Sequence, residues 1–237
     1  MIKDILLDMD ETILDFTKAE QVALTEALDS FGIAGDEEIL TAYSKINKAQ
    51  WQLLEQGLLR REVLLRRRFE LLVQQYGWSV DPGQLAKTYE GNLTRGYYFM
   101  DGAEETLKEL RKKYNLYLLS NGTSVVQHAR IEGTGLEPYF KGIYISEDVG
   151  ANKPDIEYFR RCFADIAQRR GRPVELSETV MVGDSLTSDI QGGRNAGVVT
   201  IWLSTGTVPS GGVQPDHIIA DLRQLPGLLE RINGKSL

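Results

Sequence analysis

Four short clusters combine carboxylates, one lysine and small hydroxyl or amide residues. The first, Asp8-Met9-Asp10-Glu11-Thr12, follows the apolar run Ile5-Leu6-Leu7. Side chains two apart on an extended chain point the same way, so Asp8 and Asp10 face one site if extended geometry lasts through Asp10. Carboxylates that close repel, and one must hold a proton unless a cation intervenes. That suits one ionised nucleophile beside one proton donor or acceptor. The segment also reads as a strand end followed by an acidic helix cap, Asp10 or Thr12. The second cluster, Ser120-Asn121-Gly122-Thr123, offers a hydroxyl, a glycine turn and a helix start. It reads equally as an anion cradle or as a Ser/Thr cap with a turn glycine. In the third, Lys153-Pro154, the proline suits the first position of a helix over Asp155–Arg170. A lysine there adds to the positive end of the helix dipole, which disfavours stability and favours an anion. By itself it reads as an exposed surface lysine. The fourth is Gly183-Asp184-Ser185-Leu186-Thr187-Ser188-Asp189. Asp189 also reads as a helix-terminus acid. Asp184, with Asp8 and Asp10, forms an oxygen-rich set of the kind Mg²⁺ prefers.

Each cluster ends a predicted strand. Apolar runs mark strands over Ile2–Met9, Leu116–Leu119, Ile143–Ile145, Thr179–Val182, Val198–Leu203 and His217–Ala220. Helical patterns lie between them at Ala103–Lys113, Ser124–Thr134, Ile156–Arg170 and Ser188–Ala196. This alternation predicts an α/β fold with a doubly wound, mostly parallel sheet. Ligands in such sheets bind outside the carboxyl ends of the strands, so the four clusters converge. Residues 16–95 break the alternation: Leu24, Leu28 and Phe31, then Tyr43, Leu54, Leu58, Leu65, Phe69 and Leu72, keep helical spacing, punctuated by Asp81-Pro82-Gly83. The expected organisation is an α/β core of residues 1–15 and 96–237 with an all-helical insertion over 16–95.

The 237 residues are 42% hydrophobic and 26% charged, enough to bury a core without staples. A formal charge of −7 argues against a nucleic-acid polymer as partner. The insertion carries 10 basic and 11 acidic residues, so nearly all of the excess lies in the core. The lone cysteine, Cys162, allows no intrachain disulfide and reads as core. No apolar run reaches the ~20 residues of a membrane helix, and the N-terminus lacks signal-peptide features. The expectation is a cytoplasmic protein without membrane partners.

The ordered set resembles the haloacid dehalogenase (HAD) superfamily of phosphatases. Asp8-x-Asp10-x-Thr12 resembles its first motif, Ser120 its second, Lys153 its third, and Gly183-Asp184 with Asp189 its fourth. The resemblance implies a HAD-like, Rossmann-type fold and attack of Asp8 on phosphorus to form an aspartyl-phosphate. Asp10 would protonate the leaving oxygen, activate water, and touch Mg²⁺ through its backbone carbonyl. Ser120 and the Asn121 amide would hold phosphate oxygens, and Lys153 would neutralise charge. Mg²⁺ would sit among Asp8, Asp10, Asp184 and Asp189, the last binding directly or through water. The insertion resembles the family's helical C1 cap, entered through the Glu11–Phe16 loop.

The motifs Asp8-x-Asp10-Glu11-Thr12, Asn47-Lys48-x-x-Trp51 and Ser146-Glu147-Asp148-Val149-Gly150-Ala151-Asn152-Lys153-Pro154 resemble one branch, the bacterial pyrimidine 5′-nucleotidases of the YjjG/YfnB type. That implies a small phosphorylated metabolite, a nucleotide, as substrate. Asn47, Lys48 and Trp51 are read as one helical face, with Trp51 stacking on a base or packing inside the cap. The run Arg60–Arg68 reads as a solvated helix face. Phosphosugar or other small-metabolite phosphatase or mutase chemistry is the enzymatic alternative, and a non-catalytic binding domain the alternative of another class. His128 and His217 fall outside the motifs and read as structural.

Overall fold

The computed structural model describes residues 1–234. They divide into two compact units, residues 1–15 with those from Phe99 onward, and Phe16–Tyr98. In chain order β1 (Asp4–Leu7) precedes α1 (Phe16–Ser30), α2 (Glu37–Glu55), α3 (Arg61–Tyr76) and α4 (Pro82–Leu93). Then come α5 (Ala103–Leu110), β2 (Asn115–Ser120), α6 (Ser124–Thr134), β3 (Gly142–Ile145), α7 (Ser146–Val149) and α8 (Ile156–Arg170). The chain closes with β4 (Thr179–Gly183), α9 (Gln191–Ala196), β5 (Val199–Leu203), β6 (His217–Ile219) and α10 (Leu225–Gly234).

The strands form one six-stranded sheet in the order β3-β2-β1-β4-β5-β6. Every pairing is parallel. β1 is buried along its whole length, which explains its unbroken apolar run. Ile5 and Leu7 pack on one face with Leu116, Leu118, Val180 and Val182. Leu6 packs on the other with Tyr117, Leu119 and Met181. Each such side chain contributes about 1.5–3 kcal/mol by leaving water. Leu7 stands level with Leu118 and Val182, so β1, β2 and β4 end side by side. The strand order also reverses at β1, which opens a crevice at those carboxyl ends.

Three local readings need correction. No helix begins at Asp10 or Thr12: Ile13 and Leu14 donate N–H bonds to the Met9 carbonyl and fold the segment into a turn. Pro154 lies outside α8, whose cap is Asp155, its carboxylate accepting from Glu157 N. Ser188–Ala196 is not one helix. A wide π-type turn, Leu186–Ile190, comes first, with Ile190 N bonded to Ser185 O at 3.1 Å. α10 was not anticipated: Leu225, Leu228 and Leu229 are spaced for a buried helical face, but Pro226 and Gly227 disguise it. A proline in the first turn removes an N–H that would have no helical partner anyway.

In the helical unit, Asp36 and Asp81 cap α2 and α4 by accepting from Ile39 N and Gln84 N. Tyr43, Phe69 and Tyr89 pack with ring centres 5.0–5.4 Å apart. The Arg60–Arg68 run is not wholly solvated. Arg68 shares a helix face with Leu64 and Leu72, spaced four residues either side, and all three are buried. Its guanidinium donates to Asn47 Oδ1 at 3.0 Å and Glu90 Oε1 at 3.1 Å, and Asn47 Nδ2 donates to Glu20 Oε1 at 2.6 Å. Among the described residues no helix is long and apolar enough to cross a membrane.

Breaking a buried ion network by removing one partner leaves uncompensated charge. Arg68→Met is therefore expected to destabilise the protein by about 3–5 kcal/mol, read as a lowered urea midpoint.

Candidate active site

The three strand ends of the switch point carry the chemistry. Asp8 follows β1 directly, and its N–H bonds Val182 O at 2.9 Å, which continues the sheet one residue further. Asp184 follows β4, and Trp202 on β5 holds its carbonyl through an Nε1 bond of 2.6 Å. Asp189 reaches the same place from the π-type turn. One carboxylate oxygen from each of Asp8, Asp184 and Asp189 lies within 4.8 Å of the others. Gly183 makes this possible: a Cβ there would meet the Asp189 carboxylate at 2.2 Å.

Lys153 is not a surface lysine but is 1% exposed. Its ammonium donates three bonds, to Asp8 Oδ1 at 2.5 Å, Asp189 Oδ1 at 2.7 Å and Leu119 O at 2.9 Å. Asp189 Oδ2 accepts from Ser185 N at 3.0 Å. Burial, reinforced by the Asp189 charge, pushes the Asp8 carboxyl up to about 8 despite the lysine. Burial and the Asp189 and Asp8 charges hold Asp184 well above the ordinary carboxyl range. Burial works against the Lys153 charge, but Asp189 and Asp8 outweigh it and raise the ammonium above its usual value.

Asp10 does not join this cluster through its side chain. Its carboxylate accepts from Arg130 Nη1 at 2.6 Å and from Gln127 Nε2 at 2.7 Å, both residues of α6. β1 has ended by then, so the two-residue alternation no longer aims Asp8 and Asp10 alike. Glu11 adopts a left-handed φ of 56°, the turn that redirects the chain. Ser120 ends β2, and its buried Oγ accepts from Gln127 Nε2 at 2.7 Å. The Asn121 side chain clamps the Lys153 backbone in both directions at 2.9 Å and so orients the lysine loop. Glu147 accepts from Ser124 N at 2.6 Å at the start of α6.

The family model described as Haloacid dehalogenase-like hydrolase matches residues 5–203. The chain belongs to that family. Among its relatives, pyrimidine 5′-nucleotidase PynA of Streptococcus pneumoniae is 38% identical over 85% of this chain and 84% of that protein. Pyrimidine 5′-nucleotidase YjjG of Escherichia coli is 30% identical over 95% and 96%. The magnesium-bound crystal structure of the HAD-hydrolase YfnB from Bacillus subtilis superposes with a TM-score of 0.88 at 35% identity, covering 96% of this chain and 98% of that one. The HAD-like fold expected from the motifs is therefore the observed one.

Of the residues singled out in the sequence, Asp8, Lys153, Asp184 and Asp189 come together, and Ser120 and Asn121 adjoin them through Leu119 and Lys153. Asn47, Lys48 and Trp51 lie in different environments. Asn47 is buried among Glu20 and Arg68, Lys48 is exposed, and Trp51 is half-buried with the Arg61 guanidinium 5.5 Å from its ring centre. Consecutive positions on a helix diverge by about 100°. Gln127 and Arg130 were missed because a Gln and an Arg in a helix carry no motif; their spacing of three places them on one face. His128 is exposed beside Asp148, and Cys162 is buried with its thiol pushed up to about 12 by burial.

Lys153→Met leaves Asp8 and Asp189 facing each other without the cation. The metal-free protein should lose about 3–5 kcal/mol above about pH 8, where Asp8 is ionised. Below the Asp8 value the carboxyl is neutral, so the loss should shrink as pH falls. Thermal midpoints of both proteins across this range measure it.

Proposed function

We propose that the protein is a Mg²⁺-dependent phosphomonoester hydrolase that works through an aspartyl-phosphate and takes nucleoside 5′-monophosphates, pyrimidine ones foremost. The observation that carries this reading is the Asp8 carboxylate at a sheet switch point, bonded to buried Lys153 and within reach of two further carboxylates. The pyrimidine preference rests on PynA and YjjG, which the chain matches over most of its length.

The donor set fits Mg²⁺. It offers hard carboxylate oxygens only, and burial with mutual repulsion leaves Asp8 and Asp184 short of positive charge. Asp8 and Asp184 would hold the ion with the Asp10 carbonyl, and Asp189, occupied by Lys153 and Ser185, would act from behind them. Bound there, the ion supplies the charge that lets an anionic nucleophile approach a phosphate.

In the first step an Asp8 oxygen attacks phosphorus while the P–O bond to the alcohol breaks. The departing oxygen takes a proton from Asp10. In the second, water attacks the aspartyl-phosphate and gives its proton to Asp10. The P–O bond to Asp8 breaks, phosphate leaves, and both carboxyls return to their starting forms. Lys153 offsets charge at Asp8, and the Ser120 hydroxyl with backbone N–H groups of the following turn holds phosphate oxygens. The helical unit of Phe16–Tyr98 serves as the cap that selects the leaving group. Lys48 and Trp51 are its candidate contacts, whereas Asn47 is committed to the unit's own interior.

Phosphate release across nucleotides, sugar phosphates and small esters tests the reading. Pyrimidine 5′-monophosphates should lead. Equal rates for sugar phosphates would reject the nucleotide assignment and spare the phosphatase. Asp8→Asn should lower turnover on the order of 10³-fold or more with an unchanged circular dichroism spectrum.

Metal binding needs Asp8 and Asp184 ionised, so protons compete with the cation. In the metal-free protein the raised Asp8 value means a stability contribution that is complete at acid pH and lost as pH climbs to about 8. Mg²⁺ reverses that loss. Its rise in thermal midpoint should be larger near pH 8 than near pH 6, reaching about 2.7 kcal/mol of stabilisation at a hundredfold excess over Kd.

A further inference from the structure

Two residues of α6 tie Asp10 to Ser120 in a closed circuit of hydrogen bonds. Arg130 is 0% exposed and Gln127 1%. An amide side chain has two N–H donors and one carbonyl oxygen. Gln127 uses all of them: Nε2 donates to Asp10 Oδ2 and to Ser120 Oγ, each at 2.7 Å, and Oε1 accepts from Arg130 Nη1 at 2.9 Å. This fixes the amide's orientation. Turned over, its oxygen would face the Asp10 carboxylate and its NH₂ the guanidinium. The same Nη1 donates to Asp10 Oδ1 at 2.6 Å. Each Asp10 oxygen is thus held by a different residue of one helix turn.

The circuit also determines what Ser120 can do. Its hydroxyl has two lone pairs and one proton. Gln127 Nε2 and Gly122 N, the latter at 3.1 Å, fill both lone pairs. The remaining capacity is donation, which suits an anionic oxygen and not a cation. Gly122 keeps the space open, because a Cβ there would come within 2.4 Å of the Gln127 amide.

We propose that Gln127 and Arg130 are positioning residues for phosphoryl transfer: they aim the Asp10 carboxyl at the leaving oxygen. This rests on Asp10 being the group that protonates the leaving oxygen in the reaction proposed above. The consequence is selective. An alkyl ester such as a nucleoside 5′-monophosphate expels an alkoxide and needs that proton. The p-nitrophenolate of an aryl ester departs without one.

The test compares kcat/KM for p-nitrophenyl phosphate and for a pyrimidine 5′-monophosphate in Gln127→Leu, Arg130→Met, Arg130→Lys and, as reference, Asp10→Asn. Because kcat/KM reports events up to the first irreversible step, it reads leaving-group departure and not the later attack of water. Gln127→Leu and Arg130→Met should lose on the order of 10–100-fold on the nucleotide and less than about threefold on the aryl ester, with Arg130→Lys between them and wild type. Equal losses on both esters, or no loss on either, would overturn the proposal. If Arg130→Met does not fold, the other two variants decide the matter. Equal losses in Asp10→Asn would show that the Asp10 assignment itself is wrong and take the pair down with it. A selective Asp10→Asn beside unselective Gln127 and Arg130 variants would reject the pair alone.

Discussion

Repulsion among buried carboxylates is the constraint on which the α/β unit depends. Asp8, Asp184 and Asp189 are gathered at the ends of β1 and β4, where charge is poorly solvated. A single ammonium, Lys153, reaches two of them and is itself fixed by Leu119 O and by the Asn121 clamp on its backbone. Burial first, and then the repulsion of three carboxylates that one cation does not offset, raises the carboxyls of Asp8 and Asp184. That arrangement is what the proposed divalent cation, and through it a phosphate, would complement. A fully neutralised cluster would be more stable and chemically idle.

The sheet exists to hold that cluster at short range. Apolar side chains on both faces of β1 lock its register against β2 and β4, so three strand ends coincide without any direct bond among the acidic groups. Fine positioning then comes from closely packed backbone. Gly183 admits the Asp189 carboxylate and Gly122 admits the Gln127 amide, each at a distance that a side chain would forbid. The second charged centre, Asp10 with Arg130, is kept apart from the first by the Met9–Leu14 turn and the left-handed Glu11. Two carboxyls only two residues apart thereby occupy different environments, as the proposed roles of nucleophile and proton carrier require.

The helical unit solves its burial problem in another way. Its centre combines an aromatic trio with a buried guanidinium, which reaches Asn47 and Glu90 and lies 5.1–5.3 Å from two of the ring centres. This is why a run of arginines in the sequence misleads. The helix repeat assigns Arg68 to the same inner face as Leu64 and Leu72, whereas Arg66 and Arg67 face water. Charge in a sequence window says little about exposure unless the periodicity is followed residue by residue.

Much of the fold was legible because it rests on local pattern. Unbroken apolar runs specify strands buried on both faces, and 3.6-residue spacing specifies helices such as Ser124–Thr134 and Ile156–Arg170. Asp8, Ser120 and Asp184 were legible because chemistry at a parallel sheet gathers at strand ends, a position that sequence order reveals, whereas Lys153, which lies beyond α7, was legible only through the resemblance of the ordered motifs. What tertiary structure alone decided is where side chains turn after the strands stop. It sent the Asp10 carboxylate to Arg130, committed Asn47 to the interior and the Asn121 side chain to the lysine loop, and recruited Gln127 from a helix that bears no motif. Those outcomes depend on contacts between residues 27 to 120 positions apart, which leave no periodic trace in the chain.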